Sequence, residues 1–84
     1  MEFKKLTEQE ELIIASLWNL KKAYAKEVVA DISINLHYNT VSTVIRKLEN
    51  KGFISHEQFG NTYRYFPLVS KDEYSEFIMD RESK

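Results

Sequence analysis

The residues most suited to chemistry lie in the segment YNTVSTVIRKLENK, residues 38–51. At about 100° per residue, one helical face collects short hydrogen-bonding side chains and a guanidinium group. These residues are Asn39, Ser42, Thr43, Arg46 and Asn50, with Lys47 at the margin. Such side chains can hydrogen-bond to base edges or phosphates in a DNA major groove. The alternative is an ordinary surface helix whose polar face meets only water.

The opposite face of this segment is apolar. Val41, Val44, Ile45 and Leu48 recur at the i, i+3, i+4, i+7 spacing of an amphipathic helix. Gly52 follows at the place where a left-handed residue commonly ends a helix. The spacing therefore predicts a helix over residues 38–51 with its apolar face in a core.

Two shorter helices are predicted before it. A Thr7-x-x-Glu10 capping box starts the first, which runs to about Leu20. Its apolar stripe consists of Ile13, Ile14, Leu17, Trp18 and Leu20, with Trp18 as a core anchor. A basic connection, in which Ala23 is expected to form a single β-bridge, leads to a second helix over about 25–33. Val28, Val29 and Ile32 form its buried face, and Lys26 either meets a phosphate or is solvated.

A β-hairpin is predicted after the third helix. Two alternating runs, residues 53–59 and 62–66, flank a Gly60-Asn61 turn, and Pro67 is expected to stop the second strand. Three helices and a hairpin predict an α+β, mostly α, winged helix-turn-helix. Asn61 then lies at the wing tip. Arg64 either reaches the sugar-phosphate backbone or pairs across the strands with Glu57.

A second capping box, Ser70-x-x-Glu73, predicts a last helix reaching about Glu82. Its stripe of Tyr74, Phe77, Ile78 and Arg81 must cover either the first helix or the same element of a second copy. We therefore expect a winged-helix domain over residues 1–69 and a C-terminal helix over residues 70–84.

Composition narrows the function classes. The net charge is −1, distributed as −2 over residues 1–20, +3 over 21–66 and −2 over 67–84. Neutralisation of phosphate charges dominates the affinity of proteins for DNA. A monomer with so small a net charge should therefore bind DNA weakly. The charged N-terminal residues argue against a signal peptide, and no apolar run is long enough to span a membrane, so we expect a cytoplasmic protein.

Enzymatic chemistry is not expected. The chain has no cysteine, its two histidines are nineteen positions apart, and its two glycines form no phosphate-binding loop. The sequence therefore predicts no catalytic residue, metal or cofactor.

Four runs carry a family resemblance: LTEQEELIIASLW, KEVV, YNTVSTVIRKLENKGFI and NTYRYFPLVSKDEY. Together they resemble the penicillinase and methicillin-resistance repressors and their copper-operon relatives, the BlaI/MecI/CopY family. The likeness spans about residues 6–78, and its most specific part is YFPLVSKDEY.

The resemblance implies a bacterial repressor that binds a dyad operator as a homodimer and is inactivated through a membrane metalloprotease receptor. The positions that match base-contacting residues are Asn39, Thr40, Ser42 and Thr43. Those expected on the DNA backbone are Tyr38, Arg46, Lys47, Lys51, Asn61 and Arg64. The competing hypothesis is a winged-helix module that binds protein without specific DNA binding.

Three departures from the family pattern matter. Relatives continue into a helical dimerisation segment, of which residues 70–84 would be the start, so we expect this 84-residue chain to be monomeric or weakly dimeric. The cysteines of the copper-sensing branch are absent. Tyr24 also replaces a small hydroxyl residue that caps the second helix in relatives, so that helix start is expected to fray.

Overall fold

The structure, a computed structural model, describes residues 6–82, and the side chains of residues 6–76. It contains four helices and one antiparallel sheet. In chain order they are α1 (Glu8–Leu20), β1 (Ala23–Tyr24), α2 (Ala25–Asp31), α3 (Tyr38–Asn50), β2 (Ile54–Phe59), β3 (Thr62–Pro67) and α4 (Lys71–Glu82). The predicted winged helix-turn-helix, α+β and mostly helical, is confirmed. No described helix combines the length and the apolar character needed to cross a membrane.

Helix boundaries follow local hydrogen bonding. At the start of α1, Thr7 Oγ1 accepts from Glu10 N at 3.2 Å, and Glu10 Oε1 accepts from Thr7 N at 2.9 Å. Helix α3 ends at Asn50, and the left-handed residue predicted just past its end is Gly52, whose φ is 86°. There Gly52 N donates to Glu49 O and Phe53 N donates to Leu48 O, a pair of bonds that satisfies carbonyls at the helix end.

Helix α2 differs in detail from the prediction. It ends at Asp31, two residues earlier than expected, and Ile32 adopts an extended conformation with φ −67° and ψ 151°. The start of α2, which was expected to fray, is capped by a side chain, since Tyr24 N donates to Glu27 Oε1 at 2.8 Å. Glu27 thus supplies one half of a capping box without a small hydroxyl residue.

The sheet has the strand order β1-β3-β2, with β3 in the middle. One of the predictions for this region was wrong. Ala23 is not a single bridge residue, because Ala23 and Tyr24 form a two-residue strand opposite Tyr65 and Arg64. The second strand ends at Pro67 as predicted, although Pro67 itself is its last residue, opposite Ile54. A strand-terminal proline is tolerated because it need not donate a ladder hydrogen bond.

The core lies between α1, α2, α3 and the sheet. Its fully buried large side chains are Ile13, Ile14, Leu17, Val28, Val41, Ile45, Leu48, Phe53 and Ile54. Trp18, predicted to anchor the core, is only partly buried and packs against this cluster, as do Leu20 and Val29. The indole Nε1 of Trp18 donates to Val69 O at 2.7 Å, so its polar edge is satisfied by the segment before α4.

The beginning of α4 packs against α1 of the same chain. Ser70 and Glu73 form the predicted capping box, with bonds of 3.0 and 2.9 Å. Tyr74 is 6% exposed. Its hydroxyl donates to Glu11 Oε2 at 2.8 Å and accepts from Leu6 N at 3.0 Å. The side chains of Phe77, Ile78 and Arg81 lie outside the described residues.

Candidate nucleic-acid interface

The two faces of α3 have different environments, as the sequence pattern predicts. Val41, Val44, Ile45 and Leu48 are buried in the core. On the other side, Asn39, Thr43, Arg46 and Lys47 are exposed, whereas Thr40 and Ser42 are only partly exposed. The outward row is therefore continuous along three turns, but its members are not equally accessible.

Hydrogen bonds at the start of α3 determine what its polar groups can still offer a ligand. His37 is the N-cap, since its Nδ1 accepts from Asn39 N at 3.4 Å. Thr43 Oγ1 donates to Asn39 O at 2.9 Å, which uses the hydroxyl proton but leaves the hydroxyl oxygen able to accept a hydrogen bond. Thr43 can thus accept a hydrogen bond or touch a thymine methyl, and the side-chain amide of Asn39 can both donate and accept.

A cleft of about 230 Å³ separates the start of α3 from the wing, which is the β2–β3 hairpin. It is lined by Tyr24, Ala25, Lys26, Tyr38, Asn61, Thr62, Tyr63 and Tyr65. Tyr38 is 51% exposed, and Asn61 at the wing tip is exposed as well. Burial, and then the charge of Glu49, raise the pKa of Tyr65 above 10.0, so its phenol keeps its proton at neutral pH. The cleft therefore presents phenol and amide groups and the ammonium group of Lys26.

A side-chain contact connects α3 to the wing. The His56 ring on β2 contacts the Glu49 carboxylate on α3. The same ring meets Tyr63 edge-on, with 4.9 Å between ring centroids. Side-chain contacts as well as the loop at Gly52 therefore connect the wing to α3.

The guanidinium group of Arg64 lies near two aromatic rings, those of Tyr24 and Phe59. Its guanidinium carbon lies 6.0 Å from the Tyr24 ring centre and 5.7 Å from that of Phe59, and its Nε is buried without a hydrogen-bond partner among the described residues. Glu57 lies opposite Arg64 in the strand register. Its carboxylate, however, accepts from Lys22 Nζ at 2.6 Å. That hydrogen bond is the main reason for the lowered pKa of Glu57, to which the charge of Arg64 also contributes.

The ammonium group of Lys51 has a partner within the domain. It donates to both carboxylate oxygens of Glu10 at 2.8 Å, and the Glu10 side chain is almost fully buried, whereas that of Lys51 is 31% exposed. A contact of Lys51 with the DNA backbone stays a prediction, and it would compete with this pair.

These features define a class of protein: a winged-helix domain with an accessible polar row on its third helix, of the kind found in DNA-binding regulators. The penicillinase repressor family matches residues 6–83. The chain belongs to that family, whose members are DNA-binding transcriptional repressors. Among the residues described, no three His, Asp or Glu side chains gather as a metal site.

Two solved structures share the fold. One is from work on the regulation of DNA binding of Bordetella bronchiseptica BpsR by 6-hydroxynicotinic acid. It matches with a TM-score of 0.71 and 18% identity over 93% of this chain and 55% of that one. The other is TrmBL2, an archaeal chromatin protein with a novel mode of DNA binding. It matches with a TM-score of 0.69 and 24% identity over 93% of this chain and 30% of that one.

The chain spans about half the length of the Bordetella protein and less than a third of the archaeal one. The sequence significantly matches no curated protein. At these identities the structural likeness concerns the fold.

The site residues predicted on α3 are at least partly exposed but do not all line one cleft. Tyr38 and Asn61 line the cleft beside the wing. Asn39, Thr43 and Lys47 line a hollow next to Gln9 of α1, and Arg46 is exposed on the same helix. Sequence reasoning missed His37 as the N-cap of α3. A histidine just before the first helical residue can cap a helix, because its Nδ1 can accept a hydrogen bond. Histidine is not among the usual capping residues, which is why the sequence pattern did not predict it.

Proposed function

We propose that this domain represses transcription by occupying a dyad operator as part of a homodimer, with α3 in the major groove. Asn39, Thr40, Ser42 and Thr43 would read base edges. Tyr38, Arg46, Lys47, Asn61 and Arg64 would hold the sugar-phosphate backbone. The observation that carries the proposal is the accessible row of Asn39, Thr43 and Arg46 on a helix whose opposite face is buried.

The chemistry of the row suits base reading. An asparagine amide can form two hydrogen bonds with adenine, and the threonine offers a hydroxyl and a methyl group. Arg46 and Lys47, one helical turn further on, supply cations for phosphates. Hydrogen bonds to phosphates set the position of the helix, and contacts to bases select the sequence.

The wing would place a second point of contact beside the helix. Tyr38 and Asn61 line the same cleft from α3 and from the wing tip. The contact between Glu49 and His56 joins α3 to the wing, so the two points of contact would approach the duplex together. Arg64 would reach a phosphate only through the outer nitrogens of its guanidinium group, since its Nε is buried.

Dimerisation follows from the size of the reading helix. Thirteen residues of α3 span about 20 Å, enough for a handful of base pairs. With about 1–3 kcal/mol per good base contact, one copy cannot compete against a genome of non-specific sites. Two copies on a dyad double the number of specific contacts. We further propose that a membrane metalloprotease receptor relieves repression, as the family resemblance implies, and that the protein acts in the cytoplasm.

The test is selection of binding sites from random DNA, followed by affinity measurements over a range of salt concentrations. We expect an enriched sequence with two related halves and a negative slope of log affinity against log salt. Lack of enrichment together with salt-independent binding would reject the proposal.

A protein-binding winged helix is the second candidate. It is favoured by the net charge of −1 and by the exposed aromatic residues Tyr38, Phe59 and Tyr63. Such a module would give no enriched DNA sequence, so the selection experiment separates the two functions.

A further inference from the structure

A second cleft, of about 620 Å³, lies where the end of α1, the end of β3 and the start of α4 meet. Its lining residues are Trp18, Lys21, Lys22, Phe66, Pro67, Leu68, Val69, Ser70, Lys71 and Glu73. None of them belongs to α3 or to the wing tip. The cleft is therefore separate from the proposed DNA interface, and its volume is within the range of small-molecule sites.

The walls of the cleft are apolar and partly rigid. Trp18 is fixed by its hydrogen bond to Val69 O and by a ring contact with Tyr74, at 6.1 Å between centroids. Leu68 is 55% exposed, the largest exposed fraction among the described large apolar side chains. Trp18 and Leu68 thus provide a flat surface and an edge against which a planar ring can pack.

The charges around the cleft are mostly positive. Lys21, Lys22 and Lys71 contribute three ammonium groups against one carboxylate, that of Glu73, which already accepts a hydrogen bond from Ser70 N. Lys22 is itself occupied, since it bonds to Glu57 and lies 5.5 Å from the Phe66 ring centre. Lys21 and Lys71 remain to receive an anion. The N-terminal end of α4 borders the same space, although the carboxylates of Asp72 and Glu73 in its first turn offset its partial positive charge.

Lys21 is held in an unusual backbone conformation. Its φ is 75° and its ψ is −57°, and Lys22 N donates to Leu20 O at 2.9 Å. This is a γ-turn with positive φ, a rare and strained arrangement for a residue other than glycine. It ends α1 abruptly and places Lys21 at the rim of the cleft, where a glycine would supply no ammonium group.

We propose that this cleft binds a small planar aromatic carboxylate, with the ring against Trp18, Phe66 and Leu68 and the carboxylate beside Lys21 and Lys71. An aromatic ring is complementary to the apolar walls, and a carboxylate is complementary to the excess of ammonium groups. A second copy of this chain would have to present an acidic, aromatic surface of the same shape. That alternative is one outcome of the test below.

The test uses the whole 84-residue chain without DNA, so that its result does not depend on the proposed function. Sodium benzoate is titrated while Trp18, the sole tryptophan, is followed by fluorescence and by the NMR signal of its indole N–H. Benzamide, which has the same ring but no charge, is the matched ligand. We expect saturable benzoate binding that is at least about tenfold tighter than benzamide binding, because charge-assisted hydrogen bonds are stronger than neutral ones.

The variants Lys21→Gln and Lys71→Gln should each weaken benzoate binding by about three- to tenfold, because each removes one charge-assisted contact. Lys26→Gln removes an exposed lysine outside this cleft and is the control, with an expected change under about twofold because a distant charge is screened. Circular dichroism confirms that each variant is folded.

Three results would overturn the proposal. The first is equal binding of benzoate and benzamide, or no saturation below about 10 mM, weaker than the affinity a well-packed ligand of this size can reach. The second is an equal loss in Lys26→Gln. The third is self-association in sedimentation experiments that Leu68→Ser abolishes, since the cleft would then be an interface between two copies.

Discussion

The ammonium group of Lys51 donates to both carboxylate oxygens of Glu10, at 2.8 Å each, and thereby joins the end of α3 to the first turn of α1. Glu10 is 2% exposed and also accepts from Thr7 N. One carboxylate thus caps one helix and pairs with the residue that ends another. The pair therefore helps to hold α3 against α1.

Replacement of Lys51 by methionine should lower the free energy of unfolding by about 1–3 kcal/mol, because it leaves a buried carboxylate without its cation. Urea titration measures the change. Lys47→Met, at an exposed position of α3, is the matched control and should stay within about 0.5 kcal/mol of the wild type. A Lys51→Met variant as stable as the wild type would contradict the role assigned to the pair.

The Glu10 carboxyl should also make stability depend on pH. Burial by itself raises its pKa, but hydrogen bonds from Lys51 and Thr7 and the charge of Lys51 outweigh burial and bring the pKa below 4.5. A carboxyl with a lowered folded pKa stabilises the protein above its unfolded pKa, and this contribution is lost as the pH falls through the folded pKa. The stability advantage of the wild type over Glu10→Gln should therefore shrink between about pH 6 and about pH 3. Urea titrations across this range would show the opposite trend if Glu10 were not ionised in the folded state.

The inner face of α3 can be tested by shortening one side chain. Leu48 is fully buried, so Leu48→Ala should cost about 2–5 kcal/mol of stability through lost burial and the cavity left behind. The neighbouring change Lys47→Ala should have almost no effect. A loss of stability near zero in denaturant titration of Leu48→Ala would mean that this face of α3 is not the buried one.

Base reading and phosphate binding by α3 should respond differently to mutation. Asn39→Ala should cost about 1–3 kcal/mol on the selected operator and relax the preference at one base position. Lys47→Ala should weaken binding to all sequences alike and reduce the salt slope by about 1. Binding measured on the operator and on a scrambled duplex distinguishes these effects. Equal losses on both duplexes for Asn39→Ala would remove it from the base-reading row.

The positive φ of Lys21 predicts that glycine and alanine at this position differ in stability. Lys21→Gly should be more stable than Lys21→Ala by about 1 kcal/mol or more, since only glycine adopts a positive φ without steric cost. Thermal and urea unfolding of the pair give the difference. An alanine variant that equals the glycine variant would mean that the turn relaxes when the lysine is removed.

Much of the fold could be predicted from short stretches of the chain. The spacing of Val41, Val44, Ile45 and Leu48 specifies which side of α3 is buried, because a helix brings residues three and four apart onto one face. Both capping boxes and the left-handed Gly52 could be recognised for the same reason. Each depends on residues close in sequence, whose geometry the backbone itself determines.

The remaining features depended on which distant residues the fold brought together. Lys51 lay in a basic stretch beside the reading helix, yet its partner Glu10 is 41 positions away. Arg64 lies beside the Tyr24 ring only because β1 pairs with β3, forty positions further along the chain. The cleft at Trp18 likewise exists only because the end of α1, the end of β3 and the start of α4 converge. Local periodicity specifies faces and ends of elements, whereas long side chains choose partners only after tertiary packing has set the distances between those elements.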